Sequence, residues 1–489
     1  VLHRNAALII GLTVIVTSIA DGAHAEPTLP TLGLGLKPSS LAKFIQVRVL
    51  EESTRASVAR ASVSLDTLGQ WSGPTDGRAP RTFETNVLGR VLLQPIEAPA
   101  VNVLTIRKPG YLMITVVGKF LGEVTVYLRP SEATPEIEAS GELTGWDRPP
   151  ELDRVFGGIV FRPMQLTDLL RFELDNLISP LQDFIDVFGK RPIPSNIALP
   201  AQDVFLPAGG VRLNKPIYRT LAPADAGFRL VGAQLEGRVQ GLISSVDILH
   251  GGVVSPTLVN QVEIKRMGLS RVLRAKGDLR ENFEATTLLA PRYQITSSRP
   301  TFDSTILSVP VVDADGDWRF LFPTDAKALT PGRAVSLQTP ANDEWKVRAV
   351  ATIAISKDNR RFSAVIAMNP TRLLETGEYL TPDLVPDFSK VPESISMRSL
   401  PRGIAFAALS RSFRTPGRDV VLPNWWIFIL PSAGEVRVPT GKLPAGTSID
   451  RISLAKFEFS GDFDERRIDA ETQLRLLARF AYATGRRTP

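Results

Sequence analysis

From Phe44 onward the chain falls into short runs in which apolar and polar residues alternate. Ile45-Gln46-Val47-Arg48-Val49-Leu50 sets the pattern, Ala61-Ser62-Val63-Ser64-Leu65 repeats it, and residues 90–93, 103–106 and 123–128 continue it. Successive side chains of a strand point to opposite faces, so period-two alternation predicts strands with one buried face. Gly and Pro break the runs at the spacing of a β-sandwich. Further runs at 228–230, 242–248, 305–312, 318–322, 345–355 and 362–367 predict at least one more β domain. Toward the C-terminus, 425–430 and 457–459 read as strands. So does 474–482, where Leu474, Leu476, Ala478, Phe480 and Tyr482 share one face at period two.

One stretch departs from this pattern. Leu166, Leu169, Leu170, Leu174, Leu177, Ile178, Leu181, Phe184, Ile185 and Phe188 recur near the helical period. Pro180 would break a single helix, so two are predicted. Thr167 caps the first; Ser179 caps the second, with Pro180 in its first turn and Gly189 beyond its end. Asp168, Glu173, Asp175, Asp183 and Asp186 outnumber Arg171 and Lys190, the wrong balance for a helix on an anionic membrane surface. A core or interdomain helix pair is expected instead. Pro192, Pro194, Pro200 and Pro207 then force extended backbone, read as a wrapping connection.

The fold class expected is mainly β, a multidomain β-sandwich protein with a short helical segment in the middle. The divisions expected are a signal peptide at 1–25, an extended and mobile leader at 26–43, and a sandwich at 44–130. A mixed helical and extended region at 141–226, a β domain at 227–375 and a C-terminal β domain at 376–489 follow.

Within the first sandwich the sequence resembles a known family, the carboxypeptidase regulatory-like domains with a transthyretin-like β-sandwich. Ala59-Arg60-Ala61-Ser62-Val63-Ser64-Leu65, Thr85-Asn86-Val87-Leu88-Gly89-Arg90-Val91 and Ile106-Arg107-Lys108-Pro109-Gly110-Tyr111 carry the resemblance, closed by 124–128. It covers roughly residues 44–129. Asn86 stands where the family usually has Asp, and residues 69–81 make the preceding loop long. The resemblance implies a noncatalytic accessory or binding module of exported proteins, with no catalytic residues to carry over. On physical grounds Gly89 suits a turn between strands, and Gly110 lets the chain turn before Tyr111 caps the core.

Composition narrows the setting. The 489 residues exceed one ordinary domain, and 36 Gly with 38 Pro suit many strands joined by turns. His3 and Arg4, the apolar run 6–20 and the small residues Ala23-His24-Ala25 have the order of a cleaved signal peptide. Val1 is read as an alternative bacterial start codon translated literally. A bacterial protein exported to the periplasm or the extracellular space is therefore expected. The sequence has no Cys, which excludes disulfides, thiolate metal sites and cysteine nucleophiles. No segment beyond the signal reaches the length of a transmembrane helix. The net charge of +6 favours anionic surfaces such as acidic glycans or lipid headgroups without choosing among them. The most basic stretch holds Lys265, Arg266, Arg271, Arg274, Lys276 and Arg280 but no aromatic residue for base stacking. It reads as a solvated face, and nucleic acid is not an expected partner.

Candidate chemistry is sparse. His250 is alone outside the signal segment, so a two-histidine zinc site is impossible and a turn histidine before Gly251-Gly252 is expected. Ser40 with Lys43, and Ser453 with Lys456, match the Ser-x-x-Lys spacing of serine acyl-enzymes. The second pair lies in alternating sequence, where positions three apart point to opposite faces. Asp313, Asp315 and Asp317 cluster three carboxylates that could hold calcium. The spacing is not that of a helix-loop-helix calcium site, and an Asp-Gly hairpin is the expected reading. Asp462, Asp464 and Glu465 form a similar group beside Arg466 and Arg467, read as a solvated turn. Trp425 and Trp426 point to opposite faces of a strand, so one could stack on a sugar while the other packs inside, but core packing of both, with one at a domain contact, is the expected reading. The expected function is a noncatalytic binding or structural component of a bacterial envelope or extracellular assembly, its partner an envelope protein or glycan. A carbohydrate-active hydrolase with an unidentified carboxylate pair and a calcium-stabilised adhesin are the alternatives.

Overall fold

The structure is a computed structural model. It describes residues 33–37, 44–52, 54–72, 81–94, 101–119, 122–131, 136–145, 154–161, 180–184, 192–194, 197–198, 217–224 and 227–238. After these it describes 262–314, 317–321, 329–341, 345–356, 360–415, 418–443, 447–461, 464–465 and 476–488. The fold is mainly β, arranged in several sheets with almost no helix.

The N-terminal region forms eight strands: β1 (Leu34–Lys37), β2 (Ile45–Glu51), β3 (Ser62–Thr67), β4 (Arg81–Glu84), β5 (Arg90–Leu93), β6 (Asn102–Arg107), β7 (Met113–Gly118) and β8 (Gly122–Leu128). A four-stranded sheet in the order β1-β8-β2-β5 faces β7-β6-β3-β4. Alternation decides what lies between them. Ile45, Val47 and Val49 from β2, and Val124, Val126 and Leu128 from β8, meet Val63, Leu65, Leu104, Ile106, Ile114 and Val116 from the opposite sheet. Residues 33–37, the described part of the expected leader, join this sandwich, so the mobility expected of them is corrected to a paired strand. Extended as expected, β1 pairs antiparallel with β8 from Leu34↔Val126 to Lys37↔Glu123, and Leu34 is fully buried. Its apolar side chain is what ties it down.

The second sheet of the sandwich does not stop at β7. Beside it lies Arg418–Ile429, in parallel register from Trp425↔Met113 to Ile429↔Val117. The ladder continues through Gly403–Thr415, Arg451–Phe459, Leu477–Arg486, Arg361–Met368, Lys346–Ser356, Ser304–Ala314 and Asp317–Phe320. Twelve strands thus form one sheet, antiparallel throughout except where β7 meets Arg418–Ile429. Both faces of its middle are covered. One carries a run of packed rings, Phe362, Phe480, Phe457, Phe406, Phe428 and Trp426, with successive centroids 4.7–6.4 Å apart. The other packs Val103, Met113, Val117, Trp425 and Ile427 beneath Trp71 and a two-stranded sheet in which Ser394–Arg398 pairs antiparallel with Glu435–Pro439. Trp71 sits on a helix, Leu68–Ser72, that alternation did not predict.

Two smaller sheets complete the fold. One runs Ile197–Ala198, Arg154–Phe161, Val231–Arg238, Val262–Leu269, Thr287–Thr296 and Ala334–Pro340, with Leu373–Glu375 alongside. In the other, Glu136–Thr144 pairs with Ile217–Pro223 and lies parallel to Leu279–Arg280 and Phe283–Glu284.

The second expected helix is corrected. Pro180–Phe184 is a strand paired with Pro192–Pro194: the residue before Pro194 is driven to extended backbone, and the extended segment 192–194 offers 180–184 a partner strand. The first expected helix, 167–178, and the strand at 242–248 lie outside the described residues.

Candidate functional site

The expected sites were placed one by one. Asp313 and Asp317 stand on the two arms of a hairpin, Ser304–Ala314 with Asp317–Phe320, in which Asp313 pairs with Trp318 and Ala314 with Asp317. The Asp313 carboxylate accepts from Arg348 Nε at 3.0 Å and lies 2.8 Å from its Nη2, so it is already neutralised by a cation. Asp315 lies outside the described residues, and among those described no group of three metal-binding side chains comes together. Glu465 accepts the Ser432 amide at 3.1 Å.

Trp425 and Trp426 do point to opposite faces, but neither face is open to a ligand. Each ring is 1% exposed. Trp425 stands edge-on to Trp71 at 6.3 Å and donates its indole N–H to Thr115 Oγ1 at 2.9 Å. Thr115 Oγ1 is in turn 2.9 Å from Thr105 Oγ1, forming a short buried polar chain across three strands. Trp426 packs against Phe406 and Phe428, with the Arg129 guanidinium 5.0 Å from its ring centroid. Arg129 is held there by a bidentate pair with Glu52 at 2.6 and 2.9 Å. Sugar stacking by either tryptophan is therefore corrected to core packing: a strand covered on both faces buries both sets of alternating side chains.

Ser453 and Lys456 lie on opposite faces of Arg451–Phe459. The Ser453 hydroxyl is 3.2 Å from Tyr482 OH within the core, while Lys456 reaches Asp383 at 2.5 Å. Ser40, Lys43 and His250 lie outside the described residues. In the basic stretch Arg271 pairs with Glu281 through two bonds of 3.0–3.1 Å, and Arg280 approaches Glu142 at 3.8 Å.

A different feature stands out on the surface. Between β4 and β5 the chain makes a tight turn whose polar groups are spent internally. Asn86 Oδ1 accepts from the amides of Leu88 (2.9 Å) and Arg90 (3.0 Å). The Asn86 amide donates to Arg90 O at 3.0 Å, and the Gly89 amide donates to Asn86 O at 2.9 Å. An Asx turn of this kind needs a side-chain acceptor, which Asn supplies as well as Asp. Gly89 has φ of 67°, and a Cβ there would lie 2.4 Å from Val49 O, so the turn requires glycine. Thr85 anchors its start, donating to Val58 O at 2.7 Å and accepting the Ala61 amide at 2.9 Å. Lys108 Nζ ties the neighbouring loop through Ala59 O and Arg60 O, at 2.9 and 3.3 Å. This rigid turn holds two apolar side chains in water, Val87 at 83% and Leu88 at 58% exposure, with Leu92 at 56% on the adjoining strand. Gly89 is a turn residue by type, but the apolar pair beside it is not part of that pattern. The signal was a Val-Leu pair at the tip, where turns ordinarily carry polar residues.

No protein-family model matches the chain, and no curated protein matches it in sequence. Among solved structures, the shaft pilin SpaA from Lactobacillus rhamnosus GG matches at 12% identity over 51% of this chain and 99% of the pilin, with a TM-score of 0.15. BcpA, the major pilin subunit of Bacillus cereus, matches at 8% identity over 69% of this chain and 99% of its own, with a TM-score of 0.16. The pilus adhesin SpaC from Lactobacillus rhamnosus GG, in its open conformation, matches at 9% identity over 82% of this chain and 44% of the adhesin, TM-score 0.16. These values describe a distant likeness among β-rich folds and transfer no residue or role.

Proposed function

We propose that this chain is a noncatalytic structural or binding component of a bacterial envelope or extracellular assembly, exported by its N-terminal segment, with a carboxypeptidase regulatory-like module at 44–129. The observation that supports this reading best is the sheet that runs from β4 through Arg418–Ile429 to Asp317–Phe320. It joins strands distant in sequence into one hydrogen-bonded body whose middle is packed with aromatic rings on one face and tryptophans on the other. Interiors packed to this density resist deformation and hold surface loops at fixed positions, as a scaffold or spacer must. A protein or glycan of the envelope is the partner this reading names.

The test is affinity capture from envelope extract with the purified chain, alongside a screen for turnover of polysaccharides. A saturable, stoichiometric protein or glycan partner supports the proposal. Polysaccharide turnover with no captured partner overturns it in favour of a hydrolase.

A further inference from the structure

The turn between β4 and β5 combines three properties that a turn made only to reverse the chain does not need. Its backbone is locked by Asn86, Thr85 and Gly89. Its tip is apolar, with Val87 and Leu88 projecting into solvent and Leu92 flanking them. Its base is cationic. Arg90 follows Gly89 directly, and the Arg60 amide donates to Thr85 O at 2.9 Å; both side chains are exposed. Neither Arg60 nor Arg90 joins an ion pair among the described residues. Glu84 is the acidic residue on β4 itself.

We infer that this turn docks the protein on an anionic lipid bilayer, with Val87 and Leu88 entering the interface and Arg60 and Arg90 meeting the headgroups. Apolar side chains at the end of a rigid element give up water without the entropic cost of ordering a loop. Cations around them add attraction that acts only on negative surfaces and weakens with salt. Charge is what selects the occupant. A protein surface covering an apolar pair would be met by neutral or apolar surroundings, whereas two arginines beside an apolar tip complement a layer of phosphates over hydrocarbon. This inference goes beyond the binding or structural role and stands apart from it, since an enzyme could be held to a membrane in the same way.

The test is cosedimentation of the full chain with vesicles of phosphatidylglycerol and phosphatidylcholine, compared with pure phosphatidylcholine. The chain is expected to bind the anionic vesicles and to release at high salt. The V87D/L88D variant should lose at least about tenfold in partitioning, and R60Q/R90Q should lose roughly thirtyfold on anionic vesicles. All four side chains are exposed, so both variants should keep the thermal midpoint of the parent, and L384D, at an exposed apolar residue on a different segment, should bind as the parent does. A V87W variant reports insertion directly, through a blue shift of its emission when anionic vesicles are added. Equal binding by parent and V87D/L88D overturns the inference, as does no binding to either vesicle. Self-association abolished by V87D/L88D in sedimentation velocity, without vesicle binding, assigns the turn to a second copy instead and overturns it equally.

Discussion

The chain of hydrogen bonds from Trp425 through Thr115 to Thr105 makes the seam between β7 and Arg418–Ile429 measurable. Thr115→Val keeps the shape of the side chain but removes the oxygen that accepts the indole N–H at 2.9 Å and meets the Thr105 hydroxyl at 2.9 Å. Thr115 and Trp425 are fully buried, so water cannot replace the lost partner. Each orphaned buried polar group costs roughly 1–3 kcal/mol. The added methyl contact recovers part of this, leaving an expected loss of about 2–4 kcal/mol. Urea unfolding followed by far-ultraviolet circular dichroism measures it, and a double-mutant cycle with Trp425→Phe isolates the bond. Once the indole N–H is gone, Thr115→Val orphans one group fewer and should cost about 1–2 kcal/mol less than in the parent. A loss below about 0.5 kcal/mol, or the same loss in both backgrounds, would refute the assignment of stability to this bond.

Three further outcomes are expected. Trp426→Phe should cost about 1 kcal/mol less than Trp425→Phe in the same unfolding assay, because the buried Trp426 N–H has no hydrogen-bond partner among the described residues and its removal orphans nothing there. Gly141→Ala would place a Cβ 1.7 Å from Glu281 O, pushing Asp278 to Glu284 away from its pairing with Glu136–Thr144 and breaking the 2.7 Å bond from Tyr218 OH to Glu281 O. A loss of about 3 kcal/mol, with hydrogen-exchange protection lost at both 137–144 and 279–285, is the result to look for. Asp387 accepts the Arg486 amide at 2.9 Å and the Arg360 guanidinium at 2.6 Å, and these bonds hold its carboxyl below the usual carboxylate range. A depressed folded-state pKa contributes stability that is full above the unfolded value of about 3.9 and fades as pH falls through the folded value. Asp387→Asn should therefore lower the thermal midpoint at neutral pH and match the parent near pH 2; a gap that stays constant with pH would count against the ion pair.

Alternation made strands with a polar face legible, whereas β6 and residues 425–430 were legible as short apolar runs although both of their faces are buried. Strands β2, β3, β5 and β8 fall on the predicted runs because each keeps half-buried or exposed positions between its core residues. Gly403–Thr415 escaped notice for the opposite reason. Ile404, Phe406 and Ala408 face one core while Ala405, Ala407 and Leu409 face the other, so its sequence has no polar face to reveal a period. β7 was missed on the same ground: Ile114 and Val116 enter one cluster, Met113 and Val117 the other. The C-terminal strand was foreseen, yet its predicted face breaks at a bulge opposite Glu458 and Phe459, where Leu477 rather than Ala478 enters the core. At the candidate site the polar half was legible, since Asn86 and Gly89 are turn residues by type. The exposure of Val87 and Leu88 was not, because only the folded backbone tells a tip from a buried corner.

The parallel pairing of Met113–Gly118 with Arg418–Ile429 also has a meaning in time. During synthesis, β7 emerges some three hundred residues before the strand that completes its ladder. Until then it is an open edge, rich in Val and Ile, with an apolar surface that Trp425 and its neighbours will later cover. Contacts so distant in sequence are slow to form, so the growing chain carries this adhesive edge until residues 418–429 arrive, and a holding chaperone that recognises extended apolar strands is the protection its folding calls for.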